Sequence, residues 1–164
     1  MITLVLGGAR SGKSAVAEQL AARCSGPVTY VATALVDPTD GDHVARVAAH
    51  QARRDPAWET VEAAADLPGL LREHAGTVLV DSLGTWVTAD ADMAPDVAAL
   101  CDALRARAGD AVLVSEEVGL GVHPSSEAGR RFRDALGALN VAVAEVADEV
   151  LLVVAGRVLP LERP

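Results

Sequence analysis

Eight consecutive residues near the start of the chain carry the strongest chemical signal. Gly7-Gly8-Ala9-Arg10-Ser11-Gly12-Lys13-Ser14 fits the pattern G-x-x-x-x-G-K-[ST] at every position. Glycines let a backbone close around a phosphate, and the N–H groups at a helix start point toward it. The lysine ammonium reaches the outer phosphates of a nucleoside triphosphate, and the serine hydroxyl helps to hold Mg2+. Lys13 is the sole lysine among 164 residues, and arginine supplies every other fixed cationic side chain. A single lysine placed where this chemistry requires one argues against a plain glycine-rich turn.

Two further segments end in acids. Val78-Leu79-Val80-Asp81 is an apolar run closed by an aspartate. Phosphate-loop proteins use such a residue to hold Mg2+, directly or through water, and beside a complete phosphate loop that reading is favoured over a turn or helix cap. Val112-Leu113-Val114-Ser115-Glu116-Glu117 ends in two glutamates. Paired carboxylates there can bind a metal, accept hydrogen bonds from a ribose or base, or stay solvated, and spacing alone leaves these open. Between Asp42 and Arg54, the residues His43, Arg46, His50 and Arg53 follow helical steps of three and four and share one face. Imidazoles and guanidiniums together can gather phosphates, and a neutral histidine is a competent nucleophile toward phosphorus. On pattern alone, an ordinary solvated face is favoured there. Arg130 and Arg133 can meet a substrate phosphate or pair with Glu127 and Asp134 along a helix. His74 and His123 have no partners at metal-ligand spacing.

The elements that must position these groups alternate along the chain. Apolar, β-branched runs at 2–6, 28–33, 77–80, 111–115 and 150–154 predict strands. Helical patterns lie at 13–23, 42–54, 67–74, 95–108 and 125–147, with Phe132, Leu136, Leu139 and Val143 as the core stripe of the last. Apolar strands separated by helices predict a parallel sheet covered on both faces, with ligands beyond the carboxyl ends of its strands. Gly156-Arg157 predicts a turn into a short antiparallel partner at 158–161, and Gly41 and 89–93 read as surface loops.

Length predicts one domain over residues 1–164. Apolar residues make up 51% of the chain but aromatics only 2%, so Ala, Val and Leu must fill the interior. A formal charge of −9 argues against broad nucleic-acid binding. No apolar run is long enough to span a membrane, and no signal-peptide core precedes the first strand. Cys24 and Cys101 match no metal spacing and read as free thiols of a reducing compartment, which predicts a cytoplasmic protein.

Taken in order, the motifs resemble a known family, the bifunctional adenosylcobinamide kinase / adenosylcobinamide-phosphate guanylyltransferases of cobalamin biosynthesis. The resemblance runs through the phosphate loop, Tyr30-Val31-Ala32-Thr33-Ala34, Arg46-Val47-Ala48-Ala49-His50 and Trp58-Glu59-Thr60. It continues with Val80-Asp81-Ser82-Leu83, Glu117-Val118-Gly119-Leu120-Gly121, Phe132-Arg133-Asp134 with Gly137 and Asn140, and Ala147-Asp148-Glu149-Val150. It implies an α/β fold of the P-loop NTPase (RecA-like) kind, with a mostly parallel sheet between two helical layers. It implies two reactions at one site: phosphorylation of the aminopropanol hydroxyl of adenosylcobinamide by ATP or GTP, then transfer of GMP from GTP through a guanylyl-histidine to the cobinamide phosphate, giving adenosyl-GDP-cobinamide.

The family's guanylylated histidine falls on His50, with Lys13 as its catalytic companion. Gly7, Gly8, Ala9, Arg10, Ser11, Gly12, Lys13, Ser14, Thr33, Arg46, Arg53, Glu62, Asp81 and Glu117 are implied to bind nucleotide, with Ser14 and Asp81 holding Mg2+. A homotrimer is the implied assembly. Three features depart from the family pattern: Glu116 stands where Asn is common, Val141 follows Asn140 in place of Gln, and the segment after Trp86 is shorter than in many relatives. The competing readings are a small-alcohol kinase that does not need His50, a nucleotide-dependent switch, a DNA-associated ATPase, and a paralogue that retains binding only.

Overall fold

The computed structural model describes residues 1–34, 55–63 and 66–163. The predicted helix at 42–54 and the loop at Gly41 lie outside these residues. Elements follow in the order β1 (Ile2–Gly7), α1 (Lys13–Ala21), β2 (Val28–Ala32), β3 (Glu59–Glu62), α2 (Leu67–Glu73), β4 (Thr77–Asp81), α3 (Leu83–Ala89), α4 (Val97–Ala106), β5 (Ala111–Glu116), α5 (Glu127–Val146), β6 (Glu149–Val154) and β7 (Arg157–Pro160). Seven strands form one sheet in the order β3-β2-β4-β5-β1-β6-β7. The pairs β2–β3, β2–β4, β4–β5, β1–β5 and β1–β6 are all parallel, and only β6–β7 is antiparallel. The last pair is the hairpin predicted at Gly156-Arg157, with Val154 opposite Arg157.

Strand residues alternate between two cores, as a pleated backbone dictates. Leu4, Val31, Val78, Val80 and Leu113 face a layer built from Leu67 and Leu71 of α2, Leu83 and Trp86 of α3, Leu100 and Leu104 of α4, and Leu136, Leu139 and Val143 of α5. Val5, Tyr30, Leu79, Val112 and Val114 face the other way, against Ala17 and Ala21 of α1. Among the described residues, α1 meets this face of the sheet through Ala17 and Ala21, with Val16, Leu20 and Trp58 packed around them. Among the described residues, no helix is long and apolar enough to cross a membrane.

Two elements escape the sequence pattern. Strand β3 has a single apolar residue, Val61, among four, and is held as an edge strand by its backbone pairing with β2. Helix α3 has only seven residues, including Gly84 and two β-branched threonines that weaken helical propensity. Its start is fixed by reciprocal capping between Ser82 and Thr85, and its apolar face is buried. The remaining helices start and stop within a few residues of the sequence reading. Asp66, Asp96 and Ser126 cap α2, α4 and α5 through the amides of Gly69, Ala99 and Gly129.

At the edge opposite the phosphate loop, Arg107 holds the turn before β4. Its guanidinium donates to the carbonyl oxygens of Leu71, His74 (2.9 Å) and Gly76 (2.7 Å). The Leu71 carbonyl lies in the last turn of α2, where intrahelical donors run out, and those of His74 and Gly76 follow at its cap and in the turn to β4. Burial lowers the basicity of this guanidinium. Arg107→Ala leaves carbonyl acceptors short of donors and is expected to cost about 1–3 kcal/mol in urea unfolding. Leu113→Ala, in a fully buried central strand, is expected to cost about 2–5 kcal/mol. An unchanged midpoint for either variant would contradict the packing described here.

Candidate active site at the carboxyl edge of the sheet

The parallel strands bring Gly7, Ala32, Glu62, Asp81 and Glu116 to one edge as the last residues of β1, β2, β3, β4 and β5. This is the edge where α/β sheets receive ligands. The loop from Gly8 to Gly12 turns directly into α1, whose first residue is Lys13. Gly12 takes φ +94° and Arg10 φ +56°, left-handed values that let the loop curl. Ser11 donates its amide to the Gly8 carbonyl at 3.2 Å, closing that curl.

The loop is fitted tightly on its inner side. A Cβ at Gly7 would lie 2.5 Å from Ser11 Oγ and 2.8 Å from the Val153 carbonyl oxygen. The Ser11 carbonyl accepts from Gly156 N at 2.8 Å, so the β6–β7 turn braces the loop from behind. Gly8, by contrast, has open space around the position of a Cβ.

Lys13 reaches back across this loop. Its ammonium donates to the Gly8 carbonyl at 3.4 Å and lies 3.5 Å from Glu116 Oε1. Only 12% of the Lys13 side chain is exposed, so the charge is shielded but accessible from the loop mouth. The other Glu116 oxygen, Oε2, accepts from Ser82 Oγ at 3.2 Å. Glu116 thus bridges the phosphate loop to the end of β4. Gly84 makes room for it, since a Cβ there would sit 2.1 Å from Glu116 Oε2.

The neighbouring strand ends are tied together by hydroxyls. Tyr30 donates to Asp81 Oδ2 at 2.8 Å, orienting that carboxylate. Thr33, almost fully buried, accepts from Ser82 N at 2.8 Å and donates to the Ser82 carbonyl at 2.6 Å. The Asp81–Ser82 peptide bond is cis. Asn140 of α5 donates to the Glu116 carbonyl at 3.0 Å and accepts from Ser115 Oγ, fastening the end of β5. The sequence names Asn140 within the family pattern, and no spacing in the chain encodes this anchoring.

Glu117 lies beside the loop but turns inward on itself. Its amide donates to the Gly7 carbonyl at 3.2 Å. Its carboxylate accepts from Gly119 N at 2.9 Å and Leu120 N at 3.0 Å, ordering the turn that follows β5. Glu62 is exposed at the end of β3, two strands beyond β4. Ser14 lies in the first turn of α1. His50, Arg46 and Arg53, together with His43 and Arg54, lie outside the described residues.

The remaining candidates find partners of their own. Arg130 donates to the carbonyls of Pro124 (3.1 Å) and Ser125 (3.0 Å), instead of pairing with Glu127 as the helical spacing suggested. Arg133 does pair with Asp134, at 2.8 Å, and its other terminal nitrogen lies 2.7 Å from His123 Nδ1. His123, partnerless by sequence, therefore has a tertiary partner, and His74 lies 3.7 Å from Glu59 Oε2. Cys24 and Cys101 are free, and burial pushes both thiols above the ordinary range, away from the reactive thiolate. A cleft of about 300 Å3 lined by Leu71, His74, Gly76, Ala103 and Arg107 opens at the opposite edge, where Arg107 is already engaged by three carbonyls.

A lysine in a glycine loop at a helix start, with carboxylates on adjacent strand ends, can grip a polyphosphate and support phosphoryl transfer. The chain resembles in fold a prototypical ATPase from the type III secretion system of pathogenic bacteria. The TM-score is 0.55 at 10% identity, covering 92% of this chain and half of that one. Among relatives by sequence, it is 42% identical over 171 residues to the bifunctional adenosylcobalamin biosynthesis protein CobP of Pseudomonas aeruginosa, covering 99% of this chain and 98% of that protein. It is 35% identical to the bifunctional adenosylcobalamin biosynthesis protein CobU of Escherichia coli, covering 95% of this chain and 97% of that one. The family model for cobinamide kinase / cobinamide phosphate guanyltransferase matches residues 3–161, and the chain belongs to that family.

Proposed function

We propose that this chain is a bifunctional enzyme of cobalamin biosynthesis, phosphorylating adenosylcobinamide and then transferring GMP to the product. The observation that carries the reading is Lys13, set in a complete phosphate loop at the carboxyl edge of the sheet. Family membership supplies the acceptor and the second reaction.

In the first step the acceptor hydroxyl oxygen attacks the γ-phosphorus of ATP or GTP. A new P–O bond forms, the bond from the γ-phosphorus to the bridging oxygen breaks, and a nucleoside diphosphate leaves. Lys13 and the loop amides from Gly8 to Ser14 neutralise the charge that develops on the phosphoryl oxygens. Arg10, exposed on the loop, adds a cation at its mouth.

In the second step a neutral ring nitrogen of His50 attacks the α-phosphorus of GTP. Pyrophosphate leaves and a phosphorus–nitrogen bond remains. A phosphate oxygen of cobinamide phosphate then attacks the same phosphorus, freeing His50 and forming adenosyl-GDP-cobinamide. Arg46 and Arg53, one helical step either side of His50 in the predicted helix, offset charge at the α-phosphate. Thr33, Glu62 and Glu117 complete the nucleotide-binding set in this reading.

Mg2+ fits the donors present. The Ser14 hydroxyl and the Asp81 carboxylate are hard oxygen ligands at the phosphate edge, and Tyr30 orients the latter. Mg2+ in such enzymes takes one or two protein oxygens and completes its shell with phosphates and water. Bound there, it neutralises phosphate charge. The whole chain acts in this reading as one nucleotide-binding domain, assembled as a homotrimer in the cytoplasm.

Incubation with GTP and Mg2+ followed by intact-protein mass spectrometry tests the reading directly. An acid-labile GMP adduct that disappears in His50→Ala is expected. An adduct that persists in that variant moves the nucleophile elsewhere, and no adduct despite bound nucleotide leaves a kinase alone. Lys13→Ala is expected to lower both reactions by roughly 10²–10³-fold, the scale of losing one preorganised charge-stabilising group. Unchanged steady-state rates in that variant would reject the phosphate-loop assignment.

A further inference from the structure

We infer that Glu116 is the general base of the phosphorylation step, accepting the proton of the attacking acceptor hydroxyl. The inference rests on the proposed kinase reading and adds a residue that reading does not assign.

Three described carboxylates stand at or just beyond the ends of β4 and β5, the two strands next in order from the strand of the phosphate loop, and they are differently engaged. Asp81 takes the Tyr30 hydroxyl at 2.8 Å and belongs to the Mg2+ donor set. Both oxygens of Glu117 are held by the amides of Gly119 and Leu120, within its own turn. Glu116 differs from both. Its Oε2 is held by Ser82, while Oε1 faces the Lys13 ammonium at 3.5 Å. That ammonium must turn toward the outer phosphates when a triphosphate binds. Oε1 then loses its partner at the place where the γ-phosphoryl group arrives.

A bare carboxylate beside a phosphate is repulsive unless a donor comes between them. The acceptor hydroxyl is such a donor. Its hydrogen bond to Oε1 aims the oxygen lone pair at phosphorus, and as the P–O bond forms the proton passes to Oε1. The balance is complete: the hydroxyl proton ends on Glu116 and later returns to water, and the electron pair of the broken P–O bond leaves with the nucleoside diphosphate. The rest of the structure keeps the carboxylate in place. Asn140 anchors the Glu116 carbonyl, Ser82 fixes Oε2, and Gly84 leaves the space that a larger residue would fill.

The test compares Glu116→Gln with the unmodified chain in three measurements: affinity for a fluorescent triphosphate, phosphorylation of cobinamide by ATP, and GMP-adduct formation from GTP. The glutamine keeps the size and can still meet Ser82, but it is not a base. Expected are a kcat for phosphorylation lower by about 10²-fold or more, the scale of general-base loss, nucleotide affinity no weaker, and adduct formation far less affected because no acceptor hydroxyl takes part. Formate added to Glu116→Ala should restore phosphorylation where chloride does not.

A phosphorylation kcat within a few-fold of the unmodified chain overturns the inference. So does equal loss of both reactions, which marks a purely structural role. If Glu116→Gln no longer binds nucleotide, the formate experiment decides, and absence of rescue overturns it. An unmodified chain that forms the adduct yet never phosphorylates cobinamide removes the kinase half and this base with it. Failure of the variant alone leaves the wider reading standing.

Discussion

The space around Gly7 sets the geometry of this protein. The strand that delivers the phosphate loop lies between β5 and β6, and its last residue is enclosed by Ser11 Oγ and the Val153 carbonyl. No side chain fits there. The chain leaving β1 therefore turns at once, and the turn places its amides at the start of α1 with Lys13 at the first helical position. Helix α1 then meets the sheet through Ala17 and Ala21.

The parallel sheet converts this local geometry into a shared edge. Parallel pairing puts every carboxyl end on one side, so acids distant in sequence become neighbours without direct selection for contact. Asp81 and Glu116 arrive on adjacent strands, β4 and β5, and β5 lies next to the strand of the phosphate loop. Hydrogen bonds then refine what topology places. Thr33 and Ser82 lock β2 to β4, and Asn140 locks α5 to β5. A group of carboxylates becomes useful only when each has a different fate: one oriented by Tyr30, one enclosed by backbone amides, one pointed at a lysine that will leave.

Much of this was legible from the chain. The apolar runs located β1, β2, β4, β5 and β6, and helical spacing located α1, α2, α4 and α5, because burial of whole faces leaves a periodic trace. Strand β3 left none, since a four-residue edge strand with one apolar residue is held by backbone pairing alone. Helix α3 was lost for a related reason: its capping by Ser82 and Thr85 outweighs poor propensity over a length too short for a pattern. The partners of His123 and Arg130 were equally invisible, because both are reached through a loop whose path depends on where α5 begins.

The sequence alone determined the phosphate loop, the α/β alternation and the family, because a contiguous motif and a buried periodicity need no knowledge of distant contacts. From the residues it named Asp81 and Glu116 as acids at strand ends; the family resemblance gave Asp81 to Mg2+ and left Glu116 without a role. The tertiary structure decided which of them meets Lys13, since that depends on strand order, and strand order is set by packing across both faces of the sheet. It also decided that Glu117 is turned inward while Glu116 is not, a difference of one residue that follows from the alternation of side chains at the end of β5 and from the turn that Gly119 and Leu120 close beside it.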